Sequence, residues 1–79
     1  MIVRLDLLPL GRPGRIASID WSHLGEQEAR RLRELGFDDG VRVEALHRGA
    51  FKGPIACQVG RMIVALRRTQ AAAVFVEPA

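Results

Sequence analysis

Apolar residues recur along this chain at two spacings, and the change from one to the other marks its elements. Ala29, Leu32 and Leu35 fall three residues apart with charged residues between them, which predicts one face of an amphipathic helix. Glu26 and Glu28 lie in its first turn and Arg30, Arg31 and Arg33 nearer its end, the order that the helix dipole favours. Ser22 is a candidate N-cap, and Glu26 with Arg30 is an i,i+4 pair in the favourable direction. Gly36 follows the last apolar helical position, where a left-handed residue is needed. With Leu35 as C-cap, Leu32 and Phe37 stand at the positions that touch in a Schellman ending. Asp38-Asp39-Gly40 then reads as a turn.

From Val41 the spacing changes to alternation. Val43 and Ala45 alternate with Arg42 and Glu44, predicting a strand from Val41 to about Arg48 with one buried face; Leu46 falls on its polar side. The loop Gly49 to Pro54 carries Phe51 at its tip. Ile55, Cys57 and Val59 mark another strand, and Gly60-Arg61 a hairpin turn. Met62 to Arg68 is apolar on both faces, which predicts a central strand or one covered by another element. Thr69 to Ala72 reads as a helical turn capped by Thr69, and Val74 to Val76 as a last strand. Before the helix, Leu5 to Leu8 is an extended lead-in, Pro9 to Gly14 a loop, and Arg15 to Trp21 a strand whose inner face the pattern leaves open.

The prediction is one mainly-β domain over residues 1–79. So few residues cannot bury two faces of a flat sheet, so a small closed or half-closed five-stranded barrel is expected, with the helix over one opening.

Charge and composition then restrict the chemistry. A net charge of +3 invites a nucleic-acid partner. Nine acids are interspersed with the twelve bases, however, and Trp21 is the only tryptophan with no tyrosine beside it. The stacking platforms of a single-strand binder are missing, so no nucleic-acid partner is expected. The longest apolar run, Met62 to Leu66, is far short of a bilayer span, and Arg4 and Asp6 interrupt any signal-like core at the start. A lone cysteine, Cys57, forms no internal disulfide and fits a reducing compartment. A cytoplasmic location without membrane insertion is the expectation.

Catalytic candidates are few. Cys57 alternates with Ile55 and Val59 and is read as a core residue, and Ser18 and Ser22 have no base at a recognisable spacing. No phosphate-binding glycine loop occurs. His23, His47 and Cys57 are widely separated, and Asp38-Asp39 read better as turn carboxylates in water than as metal ligands. No enzyme activity, metal or cofactor is expected. What remains is surface: Leu46, Phe51 and a part-covered Phe37 would make a partner site if they formed one apolar patch.

Several blocks together resemble a known family. They are Leu8-Pro9-Leu10-Gly11 followed by Gly14-Arg15-Ile16; Arg31-Leu32-Arg33-Glu34-Leu35-Gly36-Phe37 with Gly40; Gly53-Pro54-Ile55; and Ala65-Leu66-Arg67-Arg68 with Ala71 and Val74. In these the chain resembles the FeoA family of bacterial ferrous iron uptake. The resemblance implies an SH3-like five-stranded barrel with one inserted helix, and a non-enzymatic accessory of the membrane GTPase FeoB. It departs from the family pattern at Asp39, where proline is common, and at Gln70, where glutamate is common. The same fold occurs as the C-terminal domain of DtxR-like metal-dependent repressors, so a stand-alone regulatory domain is the alternative. On the accessory reading, Leu35, Gly36 and Phe37 form the structural corner. Arg31, Arg67 and Arg68 are the candidate polar contacts, and Leu46 and Phe51 the apolar ones.

Overall fold

Two stretches of the sheet change phase part-way, and they explain how so short a chain encloses a core. The computed structural model describes residues 1–79. Its strands are β1 (Val3–Arg4), β2 (Pro13–Ile19), β3 (Arg42–Arg48), β4 (Ile55–Val59), β5 (Met62–Leu66) and β6 (Val74–Pro78). Helix α1 spans Glu26–Glu34 between β2 and β3, and the single turn α2 spans Arg68–Ala71. The strands form one six-stranded sheet in the order β1-β6-β2-β3-β4-β5, every neighbouring pair antiparallel. The lead-in adds β1 to the five expected strands, and the ends β1 and β5 do not pair with each other, so the small SH3-like fold expected from the sequence is present with its sheet unclosed.

In β2 the register on β6 shifts between Ile16 and Ser18. Ile16 and Ile19 are consequently both buried, although a step of three positions would place them on opposite faces of a regular strand. The bulge resolves the face that alternation left open. In β3 the register on β4 shifts between Ala45 and His47, so Leu46 is the extra residue of a second bulge. This is why an apolar residue lies on the polar side of that strand; it is half-buried there. Past the bulge Arg48 pairs with the buried Ile55, and its guanidinium donates to the carbonyls of Asp6 (3.1 Å) and Leu8. Arg48 thereby holds the Leu5–Leu7 3₁₀ turn against the sheet, and Leu5 and Leu8 enter the core. Bulges bend their strand and raise its twist, which curls the sheet around one cluster of 15 buried residues.

Helix α1 ends as its glycine requires. Leu35 is the C-cap and Gly36 has φ +94°. The Phe37 N–H donates to Leu32 O and the Gly36 N–H to Arg33 O, both at 3.0 Å, the two bonds of a Schellman ending. Because an added Cβ at Gly36 meets nothing within 4 Å, backbone conformation alone sets the cost of substitution. Gly36→Ala is expected to lose about 1 kcal/mol in urea unfolding with the fold kept.

Four local expectations are corrected. The N-cap of α1 is Gly25, whose N–H donates to Glu28 Oε1 at 3.2 Å; Ser22 lies earlier, in the 3₁₀ turn Trp21–His23. The cap of α2 comes from Gln70, whose Oε1 accepts from the Arg67 N–H at 3.0 Å, not from Thr69. Pro13 and Gly14 belong to β2 rather than to a loop. And β5, expected to be central or covered, is the edge strand. Its apolar composition leaves Met62 and Ile63 in solvent while Leu66 alone is fully buried.

Candidate partner-binding site

Arg31 and Arg67 are brought together by packing. Arg31 is on the solvent face of α1, and Arg67 closes β5 just before α2. Both line one open groove of about 330 Å³, with Gln27 and Glu28 of α1, Ala65 of β5 and Gln70 of α2. The groove carries two guanidinium groups against one carboxylate. Glu28 Oε1 accepts from the Gly25 N–H and Gln70 Oε1 from the Arg67 N–H, while the two guanidinium groups are committed to no partner within the groove. Neither appears in an ion pair, and both are exposed. Arg68 is half-buried beside them, and its Nε has no hydrogen-bond partner.

The other candidates separate. Phe37 is 2% exposed and lies in the core cluster, so it offers no surface to a partner. The reason is the Schellman ending, which turns the chain back over Leu32 and carries the ring inward with it. Leu35 is half-buried against the same core. Without Phe37 the three-residue apolar patch does not form. Phe51 is wholly exposed at the loop tip, where it and Lys52 both hold positive φ, +55° and +60°. Left-handed backbone is unusual at one bulky residue and rarer at two in succession.

Beneath the helix end, Trp21, Arg33, Gly36, Phe37, Asp38 and Val41 line a second open hollow of about 560 Å³. The Arg33 guanidinium lies 4.3 Å from the Trp21 ring centroid, a cation–π contact that ties α1 to the 3₁₀ turn before it. Nearby, Ser22 Oγ donates to Asp20 Oδ1 at 2.6 Å and His23 Nδ1 is 3.0 Å from Asp20 Oδ2. The Ser22 hydroxyl foremost, with the His23 charge adding to it, holds the exposed Asp20 carboxyl below its ordinary pKa.

No three His, Cys, Asp or Glu side chains converge on a point that could hold a metal ion. No helix is long and apolar enough to cross a membrane. Cys57 is fully buried in β4, and burial pushes its thiol pKa up to about 11. A thiol in that environment is neither ionised at neutral pH nor reachable. It is expected to resist an aromatic disulfide reagent in the folded chain and to react fully once denaturant unfolds it, read by absorbance.

The resemblance pointed to Arg31, Arg67 and Arg68 as contacts but not to Gln27, Glu28, Ala65 and Gln70. Gln70 left a signal, standing three residues after the N-cap where a capping side chain belongs. Ala65 left none, because its exposure depends on which strand ends the sheet.

A family model of the FeoA domain matches residues 3–78. Stenotrophomonas maltophilia FeoA, solved in complex with zinc, is 37% identical with a TM-score of 0.78, the match covering 98% of this chain and 89% of that one. Iron(II) transport protein A from Clostridium thermocellum is 26% identical with a TM-score of 0.86, over 98% of this chain and 46% of that one. A manganese-dependent transcriptional repressor is 24% identical with a TM-score of 0.87, over 99% of this chain and 42% of that one, a likeness of fold. The chain thus spans less than half the length of the latter two. No curated protein sequence matches it.

Proposed function

The chain belongs to the FeoA family, and on that premise we propose that it is a non-catalytic accessory of ferrous iron uptake, acting in the cytoplasm on the membrane GTPase FeoB. The observation that carries this reading is the family match over residues 3–78. Two features of the chain support it. The Ser22 hydroxyl donates to Asp20 rather than to an imidazole and Cys57 is buried, so neither stands as an activated nucleophile and contact is the chemistry the surface offers. The α1–α2 groove presents Arg31 and Arg67 free for carboxylates of a partner. The S. maltophilia relative is itself described as a candidate activating factor of bacterial ferrous iron transport.

In this reading α1 and α2 form a rigid two-sided seat and the arginines supply orientation and encounter rate more than raw affinity. The fold shared with the repressor supports a second reading, a stand-alone regulatory domain. Affinity capture from iron-starved cells separates the two. The accessory reading expects a FeoB-like GTPase to be retained. It also expects Arg31→Glu with Arg67→Glu to reduce retention roughly tenfold while the unfolding midpoint stays put. Capture without any such GTPase, together with DNA binding that weakens steeply with salt, would transfer the assignment to the regulatory reading.

A further inference from the structure

The edge strand β5 lacks the usual sequence-encoded protections. It pairs with β4 in uninterrupted register from Val59↔Met62 to Ile55↔Leu66, with no bulge. Met62-Ile63-Val64-Ala65-Leu66 contains no proline and no charge. Natural edge strands are blunted by bulges, prolines, charges or covering elements; β5 has no bulge, proline or charge within its length, and α1 faces it only across the open groove at Ala65. The opposite edge, β1, is only 2 residues long. On the outer face of β5, Ile63 is 69% exposed and Ala65 is exposed beside it. The flanking pair Val59↔Met62 closes a two-residue turn at Gly60-Arg61, so Met62, Val64 and Leu66 direct their backbone groups to β4. Ile63 and Ala65 therefore direct their N–H and C=O groups outward, to no neighbouring strand.

The charges at the two ends of the strand select what can pair there. Arg61, in the turn before the strand, and Arg67, just after it, are both exposed and stand in sequence phase with Ile63 and Ala65. A second copy of this chain, paired antiparallel about Val64, would set Arg61 against Arg67 at both ends, and like charges directly opposite are destabilising. Shifted registers relieve the clash only by leaving part of the strand unpaired. An extended segment with a carboxylate at each end and β-branched residues between them meets both arginines and covers Ile63 and Ala65.

We infer that β5 is a strand-addition site that takes an extended, acid-flanked segment of a partner protein as a seventh strand. The inference rests on the partner-binding reading above but not on which protein the partner is. Arg67 belongs to both surfaces, since it ends β5 and opens the α1–α2 groove. A strand on β5 and carboxylates in the groove are thus two parts of one contact. Main-chain hydrogen bonds supply affinity in this mode, and the alternate side chains supply selectivity.

The test uses the full chain and a capped heptapeptide, Glu-Thr-Val-Thr-Val-Thr-Glu, with a Lys-ended version as control. In amide NMR at low salt, the acidic peptide is expected to shift the Ile63 and Ala65 resonances and to slow their hydrogen exchange. The Lys-ended peptide is expected to bind at least roughly tenfold more weakly, because both end pairs become repulsive. Ile63→Lys and Ala65→Lys, both surface changes that leave the core untouched, are expected to abolish the shifts. No response of those amides at millimolar peptide overturns the inference, as does equal binding of the two peptides. A dimer in sedimentation that Ile63→Lys dissociates also overturns it, since the occupant is then a second copy. A chain that takes the peptide yet retains no FeoB-like GTPase keeps the strand site and loses the transporter assignment.

Discussion

Phe37→Ala is expected to remove about 3–5 kcal/mol of stability, the range for emptying an aromatic site in a packed core. The ring is 2% exposed and belongs to the cluster that includes Leu32, Ile16 and Val43. A chain of 79 residues has about 4–12 kcal/mol in total, at roughly 0.05–0.15 kcal/mol per residue. The variant should therefore lose a large share of its folded population at 37 °C. Urea unfolding followed by circular dichroism measures this as a lower midpoint at unchanged slope. The result also separates two roles for the residue. If Phe37 were a partner contact, truncation would weaken binding and leave the midpoint alone; a shifted midpoint assigns it to the core.

Gly14→Val is expected to cost about 3 kcal/mol or more, which in a domain of this length lowers the melting temperature by roughly 10–20 °C. Gly14 lies in β2 between Val43 of β3 and Pro78 of β6. A Cβ built there would stand 2.5 Å from Val76 Cγ1 and 2.8 Å from Glu77 O. The valine side chain can rotate away, but the carbonyl belongs to the ladder and cannot move without breaking it. The neighbouring Gly11 provides the contrast. It has φ +78° yet open space around its missing Cβ, so Gly11→Ala should cost only about 1 kcal/mol. Scanning calorimetry of the two variants, with Gly14→Ala falling between them, distinguishes steric from conformational cost. Equal melting temperatures for all three would remove the close-approach argument.

Stability and binding thus occupy different sides of the same corner. Arg31 and Phe37 belong to one seven-residue block of the sequence, the first a candidate polar contact and the second part of the structural corner. The Schellman ending divides them: the turn carries Phe37 inward while Arg31, nearly two turns earlier on α1, stays outside. The arginines are therefore the changes to make when binding alone is to be tested. Phe37 and Gly14 are the changes that report on the fold.

Much of the fold was legible because it depends on local chemistry. Apolar spacing located α1, glycine placement located its end, and alternation located β4 and the inward Cys57. What alternation could not resolve was where it breaks. The bulges at Ile16/Ser18 and Ala45/His47 insert a residue without changing residue type, so alternation leaves the inner face of β2 open and sets Leu46 on the polar side of β3. Similarly, an apolar stretch such as Met62–Leu66 has the composition of a buried strand whether or not a neighbour arrives to bury it.

The helix, its stop, the strand content and the family resemblance are legible in the chain alone, because each depends on residues near one another in the chain or on a recurring pattern of them. Which strand ends the sheet, which side chains share the groove and that Phe37 lies inside follow from how the elements pack. The physical reason is that exposure belongs to pairs of distant segments. Ile63 and Ala65 are surface because β1 is paired with β6 at the far end of the sheet and never reaches β5. Arg31 and Arg67, separated by half the chain, meet because β5 and α2 fold back beside α1.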